Sequence, residues 1–316
     1  MKVVSYLATL PPKQLAIQPP IDKVKTLMYY VQGVNAAGDQ GVLSHQPVWE
    51  PADVAVILGW VHEHGKSAPH LSFRREIVER QRATGGRTVI ADSNLFLYKN
   101  TSNPGYWLRY SFDGVFPDTG EYCDQTPDPN RWQTISSHVG ITLQPWRAHG
   151  NHILLCLQRH GGWSMGEKST VDWALETIKL IREHSDRPIT VRGHPGDKQS
   201  DRQVKDIIEK CRRKNIKRVM ASSYNNLTDD LRHCWAAVNH NSSPTVGAAI
   251  EGIPVFVTDP TRSQVRDIAN TDFSRIENPN MPDRQSWIQR ISQFHWSHSE
   301  LQNGQCWQHM KQWARK

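Results

Sequence analysis

The chain has 316 residues, 37% apolar and 22% charged, which is enough for two ordinary cores of about 150 residues each. No apolar run approaches the roughly 18 residues of a bilayer span, and the opening Met1-Lys2-Val3-Val4-Ser5-Tyr6-Leu7, soon broken by Pro11-Pro12, is too short for a secretory leader, so a soluble cytoplasmic protein is expected. Net charge is +7, with a sequence pI near 9.2, a balance that draws polyanions: nucleic acid, anionic glycans or phosphate-bearing cofactors. The first 24 residues hold four prolines and little periodicity, and are expected to lie extended over the surface. Buried strands are expected at residues 26–31 and 54–58, a helix at 71–82 and a strand at 87–91. Apolar strands between helices are the pattern of a parallel sheet covered on both faces. Residues 107–123, rich in aromatics and glycine, read as loops around a site, and 128–135 as a short helix.

The pattern breaks at residues 144–150, where a domain boundary is expected, giving an N-terminal domain of 1–148 and a C-terminal domain of 149–316. Alternation then restarts. Strands are expected at 152–158, 188–192, 218–221, 236–239 and 254–258. Helices are expected at 169–184, with a stripe of Val171, Ala174, Leu175, Ile178 and Ile181, and at 201–213, 227–234 and 243–251, the last ended by Gly252. Helical pieces carrying Trp287, Trp296, Trp307 and Trp313 close the chain. The fold class is therefore α/β: two Rossmann-like doubly wound domains facing a cleft, with ligands beyond the carboxyl ends of the strands. The five cysteines, Cys123, Cys156, Cys211, Cys234 and Cys306, form no CxxC pair, which fits a reducing compartment without a disulfide framework. Cys156 and Cys234 read as core residues.

Three strand-end turns in the second half carry phosphate-compatible groups. In Asn239-His240-Asn241-Ser242-Ser243-Pro244-Thr245 a buried strand meets a helix start rich in hydroxyls, and such a start accepts anions. Ordinary Ser/Thr capping is the competing reading. In Arg192-Gly193-His194-Pro195-Gly196-Asp197, Arg192 offers fixed charge and His194 an imidazole. The alternative for His194 is a turn residue bonded to backbone. In Gln158-Arg159-His160-Gly161-Gly162, glycines admit a ligand close to the backbone, and Gln158 and Arg159 supply polar reach. Neither GxxxxGK[ST] nor GxGxxG occurs there, which argues against a P-loop kinase and a simple dinucleotide enzyme.

His194-Pro195, Ser242-Ser243 at a helix start, and the Gly252-Ile253-Pro254-Val255 exit resemble the donor domain of GT-B glycosyltransferases. Over roughly residues 150–260 the order of these motifs is similar to the capsular-polysaccharide glycosyltransferases and bacterial sialyltransferases. The resemblance implies a nucleotide-sugar donor held by His194, Ser242 and Ser243. Gln158, Arg159, Arg192 and Thr245 join them on chemical grounds. The donor is of CMP or UDP type, with guanosine also open, and the sugar is a hexose or pentose. The N-terminal domain then serves the acceptor. It must supply a base for the acceptor hydroxyl. Asp113, in Phe112-Asp113-Gly114, resembles the acidic-Gly element of the sialyltransferases but lacks its second acidic residue. Asp39 and Asp92 are the further choices, and a turn-capping role is the alternative for each. No DxD pair occurs, so no metal is expected; helix ends and basic side chains would neutralise the leaving phosphate. His62 and His64 are spaced for a metal but lack a Cys or carboxylate partner.

The favoured acceptor is a hydroxymethylated pyrimidine in duplex DNA, because the chain resembles in general character the glycosyltransferases of tailed phages. The basic stretch 202–218, with eight Lys/Arg against two acids, would track phosphates, and the C-terminal tryptophans would stack in the gap left by a flipped base. A capsule or lipopolysaccharide glycosyltransferase is the alternative. A non-catalytic nucleic-acid-binding protein is the reading from another class.

Overall fold

The structure is a computed structural model, and it describes residues 1–60, 68–99, 102–159, 165 and 168–315. His62, His64 and residues 160–164 of the glycine turn lie outside the described residues. The strands are β1 (Lys2–Tyr6), β2 (Gln40–Ser44), β3 (Val54–Leu58), β4 (Arg87–Asp92), β5 (Leu108–Phe112), β6 (His152–Cys156), β7 (Ile189–Arg192), β8 (Val219–Ala221), β9 (Cys234–Asn239), β10 (Val255–Val257) and β11 (His295–Trp296). The α-helices are α1 (Pro12–Leu15), α2 (Asp22–Ala36), α3 (Pro69–Ala83), α4 (Arg131–Val139), α5 (Thr170–Arg182), α6 (Ser200–Arg213), α7 (Leu227–Leu231), α8 (Pro244–Ile250), α9 (Gln285–Ser292), α10 (His298–Gln302) and α11 (Gln305–Met310). No described helix is long and apolar enough to cross a membrane.

Two compact units emerge. The first is Met1–Asn94, Ser102–His138 and Gln289–Lys316; the second is Leu95–Thr101 and Val139–Ile288. The division falls at residue 139 rather than 149. The reason is physical: residues 144–147 are docked within the second unit, where Gln144 N–H donates to Ile250 O and Arg147 N–H to Gly252 O. Residues 289–316 belong to the first unit, because Trp307, Met310 and Trp313 complete its core with Leu27, Tyr30 and Tyr110.

The first unit's sheet runs β11-β5-β4-β3-β1-β2. β1 to β4 are mutually parallel, whereas β5 is antiparallel to β4, and β11 to β5. Two expectations are corrected here. Residues 2–6 are not surface chain but the buried strand β1, paired on both sides. Residues 26–31 are not a strand but lie inside α2, whose buried Val24, Leu27, Tyr30, Val31 and Val34 repeat at helical spacing. Each such fully buried apolar side chain is worth about 1.5–3 kcal/mol. Residues 107–123 hold strand β5 and a bridge from Phe112 to Glu121, not only loops.

The second unit's sheet runs β10-β9-β6-β7-β8, all parallel. Counted within the unit this is strand order 5-4-1-2-3, and the topological switch lies between β6 and β9. α5 is capped by Ser169, whose hydroxyl accepts from Asp172 N–H, and buries Trp173, Ala174, Ile178 and Ile181. α8 starts with Pro244 at its first turn and is buried from Thr245 to Ile250. Gly252 ends it with φ +77°, where a Cβ would fall 1.9 Å from Pro145 O. The five cysteines are buried and form no disulfide.

Candidate functional site

In the second unit every strand delivers its carboxyl end to one edge, so the turns after β6, β7, β8, β9 and β10 gather there. Gly193 lets the β7 turn fold tightly, since a Cβ would meet Ser200 Oγ at 1.9 Å. His194 follows. Its Nδ1 accepts from Gly196 N–H at 3.0 Å, which leaves Nε2 carrying the proton of the neutral ring. Burial first, and the Arg159 guanidinium second, lower the His194 pKa against the pull of Asp197. His194 and Arg159 therefore share one field, and Arg159 itself is exposed.

The β9 turn is organised by Asn239, whose Nδ2 donates to Ser242 O at 2.7 Å and Ser242 Oγ at 3.0 Å. Ser242 accepts there and keeps its own O–H to donate. Ser243 is exposed, and its side chain makes no capping bond to α8. A cavity of about 580 Å³ opens between the β7 and β8 turns, lined by His194, Pro195, Asp197, Ser222, Tyr224 and Asn225. Tyr224 is 52% exposed. A half-open cavity with an aromatic face and polar turns can take a nucleoside.

Three of the expected ligands make hydrogen bonds within the unit. Arg192 is committed to Asp230 at 2.5 Å and to the carbonyls of Tyr224, Asn225 and Asn226. Gln158 is buried, and its Oε1 accepts from Asn241 N–H at 2.8 Å, tying β6 to β9 across the switch point. Thr245 is buried and donates to Ser242 O at 2.9 Å.

A neighbouring network went unread in the sequence. Asn241 donates to Asp259 Oδ2 at 2.8 Å and Thr261 to Asp259 Oδ1 at 2.6 Å, while His240 Nδ1 lies 2.7 Å from Thr258 Oγ1. Burial raises the Asp259 carboxyl pKa, but the bonds from Thr261 and Asn241 outweigh it and hold it below the usual range. The available signal was Thr258-Asp259, two polar residues straight after an apolar strand.

In the first unit the three acidic candidates separate. Because β5 is antiparallel, Asp113 emerges at the amino edge of the parallel strands, beside Thr88. Its carboxylate accepts from Arg87 Nε at 2.7 Å and Thr88 N–H at 2.8 Å. That is a turn cap at the amino edge of the parallel strands. Asp39 is also structural. It holds the Met1 ammonium at 2.6 Å, Trp307 Nε1 at 2.8 Å and Lys311 at 3.6 Å. Burial opposes its ionisation, yet these partners lower its pKa. Asp92 alone stands at the carboxyl edge, at the end of β4, paired with Arg109. Among the described residues, no group of three or more His, Cys, Asp or Glu is placed to hold a metal ion.

No family model and no curated protein matches the chain. Among solved structures it is similar to the β-Kdo 2,7-transferase of Thermosulfurimonas dismutans KpsC, at 12% identity and TM-score 0.48 over 94% of this chain and 92% of that one. It is similar to the β-Kdo 2,4-transferase of the same KpsC at 14% identity and TM-score 0.48, over 87% and 89%. It is similar to Anabaena HepE in complex with UDP-glucose at 11% identity and TM-score 0.38, over 99% and 100%. At scores below 0.5 these likenesses assign nothing to this chain. What its own topology defines is a two-unit α/β protein with a doubly wound second unit.

Proposed function

We propose that the chain is a metal-independent, nucleotide-sugar-dependent glycosyltransferase of GT-B type. The carrying observation is the second unit's carboxyl edge. There His194 lines a cavity of nucleoside size, and the same edge carries the exposed Arg159 and Ser243 and the Ser242 hydroxyl, which accepts from Asn239 Nδ2 and keeps its O–H to donate. Those donors would hold the donor phosphates, and Tyr224 would face the base. The first unit would bind the acceptor. Asp92 takes the base role in place of Asp113 and Asp39. As the acceptor oxygen attacks the anomeric carbon, the bond to the donor phosphate breaks, its electron pair leaves with the phosphate, and the hydroxyl proton passes to Asp92.

For the acceptor, a saccharide hydroxyl of capsule or lipopolysaccharide type is the better reading. Two features called on for duplex DNA have structural duties. Trp287, Trp296, Trp307 and Trp313 are all buried, at 8% exposure or less. On the basic α6, Lys210 pairs with Asp206 and Arg213 with Glu209 along the helix, the pattern of a solvated face. The test is release of nucleotide from a panel of CMP-, UDP- and GDP-sugars, with glycan and hydroxymethylated duplex as competing acceptors. Turnover with one donor, increased by the glycan, is expected. Silence with every donor contradicts the transferase, and transfer to duplex alone restores the DNA acceptor.

A further inference from the structure

At the carboxyl edge of the first unit lies a positive charge that nothing else explains. Arg74, on α3, is only 9% exposed. Its Nε donates to Thr9 O at 2.9 Å. Among the described residues it forms no ion pair and no other hydrogen bond. A buried guanidinium ordinarily has a carboxylate or several carbonyls, since desolvating a charge without them is costly. Gly59, at the end of β3, takes φ +82°, and a Cβ there would come within 2.8 Å of Arg74 Nη1. Gly59 N–H is in turn bonded to Ala91 O of β4, next to Asp92.

Asp92 does not neutralise this corner. Its carboxylate is hydrogen-bonded to Arg109, and it reaches Arg74 only through space. Arg109 keeps a buried Nε without a partner. Two guanidinium groups thus face one carboxylate. Burial lowers the Arg74 pKa to about 10, with Asp92 opposing, so both arginines remain charged at neutral pH. His70 beside Arg74 adds no charge there, because burial and then Arg74 lower its pKa.

We propose that Arg74, with Arg109, forms an anion subsite at the ends of β3 and β4 that takes a carboxylate or phosphate carried by a sugar. Its place beside Asp92 makes that sugar the acceptor, a role that rests on the transferase reading; the binding itself does not. An acidic group docked there would complete the charge of the corner and fix the sugar's orientation toward the Asp92 carboxylate.

The test is calorimetric titration of the full chain with glucuronate, glucose 6-phosphate and glucose, without any donor. At least one acidic sugar should bind and glucose should not, and the tighter of the acidic pair names the group. Arg74→Gln should weaken that binding roughly tenfold or more, with Arg74→Lys recovering part of it. His194→Ala should leave it unchanged, which separates this subsite from the donor edge. Binding unaffected by Arg74→Gln, or equal binding of glucose, overturns the proposal. If Arg74→Gln does not fold, wild-type crystals soaked in selenate supply the readout. An anomalous peak at the Arg74 guanidinium, displaced by the acidic sugar, is expected. No peak, or a peak that no acidic sugar displaces (an adventitious ion only), overturns it. Failure of every nucleotide sugar to turn over would sink the transferase and leave these binding results standing.

Discussion

The chemistry of single residues turns on which polar atoms are already spent. Arg192 and Asp230 are the clearest case, a pair 11% and 1% exposed on their side chains. Ser222 adds hydrogen bonds of 2.7 and 2.8 Å to the same carboxylate. Arg192→Ala would strand a buried charge, and such losses cost about 3–5 kcal/mol. Urea unfolding should show a loss of that order. A change confined to nucleotide affinity, with stability intact, would return Arg192 to the ligand set. His194→Ala should behave in the opposite way: little change in stability, and donor binding weaker by about 2 kcal/mol, roughly thirtyfold. From sequence, Arg192 and His194 look equally suitable, because both follow the same strand. Only the fold shows that Asp230, thirty-eight positions away, claims the arginine. The edge that Asp113 reaches is hidden for a related reason. The Asp-Gly pair is visible in the chain, but the antiparallel direction of β5 is not, and that direction decides which edge it reaches.

At the scale of elements, α8 depends on a segment far off in sequence. Leu95–Thr101 belongs to the second unit, and Tyr98 lies against Gly247 with its hydroxyl 2.6 Å from Glu251. A Cβ at Gly247 would meet the Tyr98 ring at 2.6 Å. Gly247→Ala should therefore destabilise the protein by about 1–3 kcal/mol. In a Tyr98→Ala background the same change should cost much less, and thermal unfolding of the double-mutant cycle checks this. Additive costs would mean that the two do not meet. β11 and α10 carry a pH liability. Burial pushes the His295 pKa down to about 3 and that of His298 to about 4. Below about 6.5 the unfolded chain binds protons that the folded one refuses, so stability should fall as pH drops through 6.5 toward those values. His295→Gln should flatten part of that slope in pH-dependent unfolding; an unchanged slope would contradict the assignment. Much of the second unit was legible at this scale, since α5 and α6 have clean apolar stripes and their strands are apolar runs. β1 was hidden by the prolines that follow it. Residues 26–31 were drawn toward a strand by Met28-Tyr29-Tyr30-Val31, although the spacing of Val24, Leu27, Val31 and Val34 belongs to a helix.

For the whole molecule, the return of residues 289–316 to the first unit was beyond local pattern, because it rests on contacts with α2 and β5 far away in the chain. A chain ending at Ile288 should lose the first unit's cooperative unfolding, since Trp307 and Met310, each 1% exposed, leave its core. Retained cooperativity would contradict the division. Of the arginines packed within the units, Arg87, Arg131 and Arg192 are each offset by a carboxylate, whereas Arg284 is a cation without an ion pair among the described residues, held by the Ala249 and Gln144 carbonyls and the Trp146 face. The central claim is that the second unit's carboxyl edge holds a sugar nucleotide, and cocrystallisation with CMP, UDP and GDP tests it most directly. One nucleotide should appear with its phosphate on His194, Ser242 and Ser243 and its base toward Tyr224. A nucleotide bound elsewhere, or none bound at millimolar concentration, would contradict the account.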